Sequence, residues 1–289
     1  MSETLRLLSS VFKLRIGFAI MTCTLAGIAL TPGVGPQPWQ VAVLALAVLM
    51  SSASAGAFNQ LVERDLDVRM RRTRGRPFVT GRFRAGWRWY AALAVLLAAS
   101  VAAAGWVSNA VAALNVFLGA CTYGIIYTLW LKRRTRWNIV IGGLAGSFAV
   151  LAGATAVEPG IAPAPLILAV VLFLWTPPHF WSLAFAYRED YARVGVPMLP
   201  VVVGEQAAAR IIFAHTVTLV GLSLLPFAFG AGWIYLLGAA AGGALFVRAS
   251  WRLLRHPSTV LAMKNFHASL IQLSVLLLAS ILDAWLIAA

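Results

Sequence analysis

Asn59-Gln-Leu-Val-Glu63-Arg-Asp65-Leu-Asp67-Val-Arg-Met70-Arg-Arg72-Thr73-Arg-Gly-Arg76-Pro77 decides how this chain is read. Three acids stand within five residues at the end of an apolar run. Eight arginines follow between Arg64 and Arg84. On a helix, Asn59, Glu63 and Asp67 are spaced i, i+4, i+8 and share one face. Such a face offers oxygens to a hard cation, and magnesium favours a few carboxylates completed by phosphate oxygens. The arginines behind it suit phosphate. Asp65 points elsewhere and is expected to support the ligands from behind. A plain basic loop with self-paired acids is the competing reading. It gives no reason for three oxygen-bearing residues on one face at membrane depth, where ionisable groups are costly. The expectation is a divalent-metal and diphosphate site, with Asn59, Glu63 and Asp67 as metal ligands, at the mouth of a membrane helix bundle.

Composition supports the membrane. The chain has 289 residues, 61% of them hydrophobic and 11% charged, with a mean hydropathy of +0.85. A soluble domain carries about 25% charged residues, so lipid is the expected solvent. The net charge of +14 raises the possibility of nucleic acid. The basic residues sit in short turns between apolar runs, however, so no nucleic-acid partner is expected and the charge reads as topology. Cys23 and Cys121 lie inside apolar runs without metal spacing and read as small buried residues. The N-terminal stretch lacks the layout of a cleavable signal and reads as a basic amphipathic lead-in.

Apolar runs of membrane length fall near 16–31, 39–62, 87–106, 109–130, 138–157, 163–187, 210–229, 232–250 and 264–287. All 23 Lys and Arg cluster in Arg6–Arg15, Arg64–Arg88, Lys132–Arg136, Arg188–Arg210 and Arg248–Lys264. Each cluster is the N-terminus or an even-numbered turn. The expected fold class is therefore an all-α integral membrane bundle of about nine transmembrane helices, a single domain over 1–289, with a cytoplasmic N-terminus. Acidic and basic residues together follow both the second and the sixth run, a weak echo of two related halves.

Two further stretches carry chemistry. In Tyr127-Thr-Leu-Trp-Leu-Lys132-Arg-Arg-Thr135-Arg-Trp-Asn138-Ile-Val-Ile-Gly142-Gly143, the cations are either topology signals or diphosphate contacts. In the second reading Lys132, with Arg133 and Arg134, reaches the diphosphate. Gly142, Gly143 and Gly146 are expected to let helices approach closely. In Trp175-Thr-Pro177-Pro178-His179-Phe180-Trp181, two prolines remove backbone donors and are expected to kink the helix beside His179. Trp175 and Trp181 add flat apolar surface suited to a porphyrin or a polyprenyl chain. His179 could ligate heme iron or handle a proton. Glu158 and Asp283 carry no partner pattern and are expected to take no part in chemistry.

The Asn-x-x-x-acid-x-x-x-Asp pattern resembles the first signature of the UbiA superfamily of intramembrane prenyltransferases. The longer string, Glu63-Arg64-Asp65 and then Met70-x-Arg72-Thr73-x-x-Arg76-Pro77, is similar to the protoheme IX farnesyltransferase branch, as is the run from Lys132 to Gly143. That superfamily often shows Tyr and Lys four apart at the second stretch; here Tyr127 and Lys132 are five apart. A fourth stretch, Tyr187-Arg188-Glu189-Asp190-Tyr191-Ala-Arg193-Val-Gly195-Val-Pro197-Met-Leu-Pro200, matches the second acidic signature with its acids offset. Asp190 is the expected second-motif metal ligand, with Glu189 pairing Arg188 or Arg193. The resemblance covers roughly residues 55–205.

The resemblance implies Mg²⁺ as cofactor, Arg72, Arg76 and Lys132 neutralising the diphosphate, and a farnesyl group passing from farnesyl diphosphate to the heme b vinyl group to give heme O. Heme b is then a substrate, the location is a bacterial inner membrane, and heme A synthase or cytochrome oxidase assembly factors are candidate partners. A prenyltransferase acting on a quinone precursor or chlorin is one alternative. A transporter is another, although its ionisable residues are expected near the bilayer midplane. A bis-His electron-transfer protein has only His179 and His215 to draw on.

Overall fold

Runs of Ala, Leu, Val and Ile with scattered Gly and Ser satisfy their backbone polar groups internally only as helices when lipid surrounds them. The computed structural model describes residues 3–288, and the side chains of residues 3–286. Among the described residues there is no strand. The elements are α1 (Glu3–Val11), α2 (Leu14–Ala29), α3 (Pro38–Val62), α4 (Arg64–Asp67), α5 (Trp87–Val107), α6 (Ala110–Cys121) continuing as a π-helix (Thr122–Leu131), α7 (Asn138–Gly142) and α8 (Leu144–Val157). There follow α9 (Pro163–Ala186), α10 (Arg188–Arg193), α11 (Leu199–Val203), α12 (Glu205–Leu224) ending in a 3₁₀ turn (Leu225–Phe229), α13 (Trp233–Arg255) and α14 (Thr259–Ala288). Eight of the described helices are long and apolar enough to cross a membrane, or nine when α1 and α2, bent by 53°, count as one span.

The spans pack in chain order. Each touches the next, and α14 returns to α2, closing a ring. Inside the ring α2 also packs against α8, and α9 against α14. The α2–α8 crossing depends on two glycines. A Cβ at Gly27 would run into the Val150 carbonyl, and one at Gly153 into that of Thr24. A hydrogen bond from Thr24 Oγ1 to Ala149 O (2.8 Å) fixes this approach. All the basic turns lie at one end of the bundle, and the site lies there too.

Gly142 and Gly143 fulfil their expectation. A Cβ on Gly142 would press on the Tyr127 ring at 3.0 Å, and one on Gly143 on the Phe173 carbonyl at 3.0 Å. That carbonyl is one from which Pro177 withholds a donor. The prolines do not divide the helix: α9 continues through Pro177 and Pro178 as one element. Asp283, given no role from sequence, accepts from the backbone N–H groups of Gly232, Ile234 and Tyr235 and so caps α13.

Candidate active site

The register read from sequence survives a break in the helix. Glu63 ends α3 with φ −89° and ψ 14°, yet Glu63 N–H donates to Asn59 O (3.0 Å) and Asp67 N–H to Glu63 O (2.9 Å). Asn59, Glu63 and Asp67 therefore remain stacked one turn apart, and all three are buried. Leu66 and Met70, packed against Tyr127 and Tyr191, anchor the loop that follows.

Cations arrive from three separate segments. Lys132 donates to Glu63 Oε2 at 2.5 Å, and Arg76 donates to Asp67 Oδ2 at 2.5 Å. Arg76 thereby closes the loop back on its own helix, assisted by Thr73 Oγ1 donating to Asp67 O. Lys13 was not singled out from sequence. It sits in the bend between α1 and α2 with φ 50°, the sole positive φ among the described non-glycine residues. A left-handed lysine is strained, and such strain persists where surrounding contacts demand it. Here Lys13 Nζ donates to Asn59 Oδ1 (2.6 Å) and to the Tyr123 hydroxyl (2.9 Å). Asn59 Nδ2 in turn donates to Thr128 Oγ1 (3.1 Å). Burial pushes the Glu63 carboxyl up, but Lys132, backed by Lys13 and Arg76, outweighs it and holds the group below the usual carboxylate range.

Glu63 Oε1 is buried and has no hydrogen-bond partner among the described residues. A buried carboxylate oxygen without a partner is costly, and it is the atom a hard cation would relieve. The two carboxylates and one amide oxygen on this face therefore fit Mg²⁺ completed by phosphate oxygens. Among the described residues no three His, Cys, Asp or Glu side chains gather into a metal-binding group. Asp190 Oδ2 accepts from the Arg71 backbone N–H (3.0 Å) and Oδ1 from Arg193 (3.1 Å), joining the two acidic loops. Arg193 thus pairs with Asp190 rather than Glu189, and Arg188 lies 3.6 Å from Glu205. Arg72 is exposed beside the Tyr191 hydroxyl. Arg133 forms a two-pronged pair with Asp65 at 2.8 Å on the exposed rim. That pair draws Arg133 away from Glu63, leaves Asp65 supporting no metal ligand, and holds the Asp65 carboxyl below its ordinary range. Arg134 is exposed.

The five-residue spacing of Tyr127 and Lys132 has a structural answer. An α-helix would turn the two apart, but this segment is a π-helix, and Lys132 N–H donates to Tyr127 O, five residues back, at 2.9 Å. The wider turn accommodates the extra residue and returns both to one face, with Lys132 Nζ 5.7 Å from the Tyr127 ring centre. Tyr127 stacks on Tyr123 at 5.6 Å.

Two cavities meet at Tyr123. The larger descends from Lys13 and Tyr123 between α2, α3, α6 and α8, and is almost wholly apolar. The smaller lies between the two tyrosines and Thr176 and Phe180 of α9. His179 faces away from both, toward α14. Its ring is stacked between Trp175 (4.2 Å) and Phe266 (4.5 Å), and Nδ1 lies 2.7 Å from Ser269 Oγ. Trp175 Nε1 donates to Ser269 O. Trp181 is buried edge-on to His215, its Nε1 without a partner among the described residues. The structure thus brings Asn59, Glu63, Asp67, Arg76 and Lys132 together, adds Lys13 and Tyr123, and leaves the Trp175–His179–Trp181 group as a separate aromatic layer.

Comparison with known proteins agrees with this geometry. The profile of the UbiA prenyltransferase family matches residues 20–276. "Protoheme IX farnesyltransferase 2" of Paramagnetospirillum magneticum is 57% identical over 283 residues, covering 98% of each chain. "Protoheme IX farnesyltransferase" of Gloeobacter violaceus is 42% identical over 92% of this chain and 88% of its own. Among solved structures, a digeranylgeranylglyceryl phosphate synthase superposes with a TM-score of 0.79 at 20% identity, over 98% of this chain and 99% of its own. A UbiA homolog from Archaeoglobus fulgidus bound to DMAPP and Mg²⁺ gives 0.70 at 16%, over 95% and 99%. Helix order, the buried acid–cation face and the sequence match converge, and the chain belongs to the UbiA prenyltransferase family.

Proposed function

We propose that this protein transfers the farnesyl group of farnesyl diphosphate to a vinyl group of protoheme IX (heme b), releasing diphosphate and giving heme O. The observation that carries the reading is a buried acid–cation face at one end of an apolar chamber. The sequence similarity to protoheme IX farnesyltransferases supports the choice of acceptor.

An allylic diphosphate ionises when its leaving group is neutralised and the cation formed is kept from water. Asn59, Glu63 and Asp67 would hold Mg²⁺, which supplies charge to the diphosphate oxygens when bound. Lys13, Lys132, Arg72 and Arg76 contribute the remaining positive charge, and Arg133 and Arg134 on the rim attract the anion as it arrives. Tyr123 and Tyr127 present their ring faces where the C1 carbon emerges from the chamber, a position suited to an allylic cation. The vinyl carbon of heme then bonds to C1, and the resulting porphyrin-stabilised cation takes hydroxide from water, releasing a proton. The acceptor reaches C1 through the cleft beside Thr176 and Phe180.

In this reading His179, with Trp175 and Trp181, is a buried aromatic layer on the α14 side of α9, so heme would have to meet it from that side and not through the cleft beside Thr176 and Phe180. Its Nε2 makes no hydrogen bond among the described residues and is the atom that would ligate iron or accept a proton. Asp190 serves this site by tying the two loops together. The protein acts as a single domain spanning a bacterial inner membrane, with the basic end cytoplasmic. A heme A synthase or a cytochrome oxidase assembly factor is the partner to which the product would pass.

The test uses purified protein in lipid nanodiscs with heme b, farnesyl diphosphate and Mg²⁺, the pigments being resolved by mass. A product heavier by a farnesyl group and a hydroxyl is expected. Turnover of another acceptor with heme b untouched would overturn the assignment.

A further inference from the structure

The apolar chamber has a built floor. Its upper end is fixed by Lys13, which bridges Asn59 and the Tyr123 hydroxyl. Descending from there, the α3 wall runs from Gly56 to Val48, eight residues or about 12 Å of helix. The α8 wall runs from Ala145 to Ala152, about 10 Å. Below this depth the bundle is filled. Val48, Val116 and Ala152 belong both to the chamber lining and to a packed cluster with Leu44, Ala104 and Val107.

The floor is also braced. Ser51 Oγ donates to Val116 O (3.4 Å), tying α3 to α6. Asn115, a buried amide at the foot of the chamber, donates to Val111 O (3.0 Å) and Thr155 Oγ1 (3.4 Å), tying α6 to α8. Three helices are thus held at a fixed separation where the chamber ends, so the plug resists opening by side-chain rotation.

We infer that Val48, Asn115 and Val116 form a length ruler that admits a fifteen-carbon isoprenoid and stops a twenty-carbon one. Asn59 stands eleven residues above Val48, about 16 Å along the helix. An extended farnesyl chain spans roughly 14 Å from ordinary carbon–carbon geometry, and one more isoprene unit adds roughly 5 Å. A longer tail lying in line with α3 would have to enter the packed cluster, where overpacking is strongly disfavoured. This rests on reading the chamber as the donor's binding place.

The full chain in nanodiscs is offered Mg²⁺ with labelled farnesyl diphosphate, displaced by geranyl, farnesyl or geranylgeranyl diphosphate. In parallel, heme b is supplied with an equimolar mixture of the three. Wild type is expected to prefer the fifteen-carbon donor over the twenty-carbon donor by about tenfold or more. Val48→Ala and Val116→Ala, which lower the floor, should each raise the twenty-to-fifteen ratio about tenfold. Ala152→Leu, which raises it, should shift preference toward geranyl diphosphate. Folded variants, with wild-type melting behaviour, that keep the wild-type ratio in both arms would overturn the ruler. The displacement arm needs no acceptor, so a length preference without heme turnover supports the ruler and counts against the heme reading alone.

Discussion

The two halves of the bundle each carry an acid-rich loop after a long helix, and they use it differently. In the first half Glu63 and Asp67 meet buried cations, one Glu63 oxygen has no partner among the described residues, and an apolar chamber opens beneath. In the second half both Asp190 oxygens are taken, by the Arg71 backbone and by Arg193. The helices beneath are stitched by a fully buried polar ladder: Asn265 donates to Ser182, Ser250 to Asn265, and Thr216 and Ser250 share a further bond. Similar local composition therefore yields a face with an open carboxylate oxygen in one place and a fastening in the other. What separates them is whether a carboxylate oxygen is left available, not how many acids a loop contains.

The largest expected effect separates these two loops. Glu63→Gln should lower prenyl transfer about 10²- to 10³-fold, the scale seen when a charge-stabilising group is removed. Asp190→Asn should cost only about tenfold, through a looser loop. Initial rates measured side by side decide this, and equal losses would erase the distinction between the halves. Lys13→Ala should lower kcat/KM for farnesyl diphosphate about 10²-fold, whereas Lys13→Arg should restore part of it; an unchanged kcat/KM would remove Lys13 from the site.

In the second half, Asn265→Leu leaves Ser182 and Ser250 buried without this partner. It should destabilise the bundle by about 1–3 kcal/mol, read as a lower melting temperature, with donor affinity retained. Deleting the lipid-facing Trp130 should let the π-helix relax to an α-helix while Tyr127 and Lys132 keep one face. Turnover should stay within a few-fold; loss comparable to Lys132→Ala would show that the π-turn does more than correct spacing.

The smallest effect belongs to the exposed Asp65–Arg133 pair. Asp65→Asn should change stability by about 0–1 kcal/mol. Because the Asp65 carboxyl is held below its ordinary value of 3.8, the pair's contribution is present above that pH and fades as pH falls below it. The difference in melting temperature between Asp65→Asn and wild type should therefore shrink in acid.

Much of this was legible in the sequence, for physical reasons that differ by residue. The Asn59–Glu63–Asp67 face depends on a local i+4 spacing, which tolerates the break at Glu63. The span pattern depends on hydropathy and on where cations fall. Lys13 was not legible, because one lysine in a basic N-terminal cluster reads as topology and its left-handed backbone leaves no compositional trace. The π-helix was hidden for the same reason: α and π turns draw on the same residues, and the five-residue spacing of Tyr127 and Lys132 was its only sign. Arg133 and Asp190 were read by their charge, while their partners, Asp65 and the Arg71 backbone, are set by tertiary packing. Asp283 likewise found its partners 51 to 48 residues away.

The central claim, that donor binding belongs to the first half, is tested most directly by calorimetry. A non-ionisable farnesyl diphosphate analogue is titrated with Mg²⁺ into wild type, Glu63→Gln and Asp190→Asn. The account predicts that Glu63→Gln weakens binding by more than about tenfold and that Asp190→Asn stays near wild type. Undiminished binding to Glu63→Gln, or a loss confined to Asp190→Asn, would contradict it.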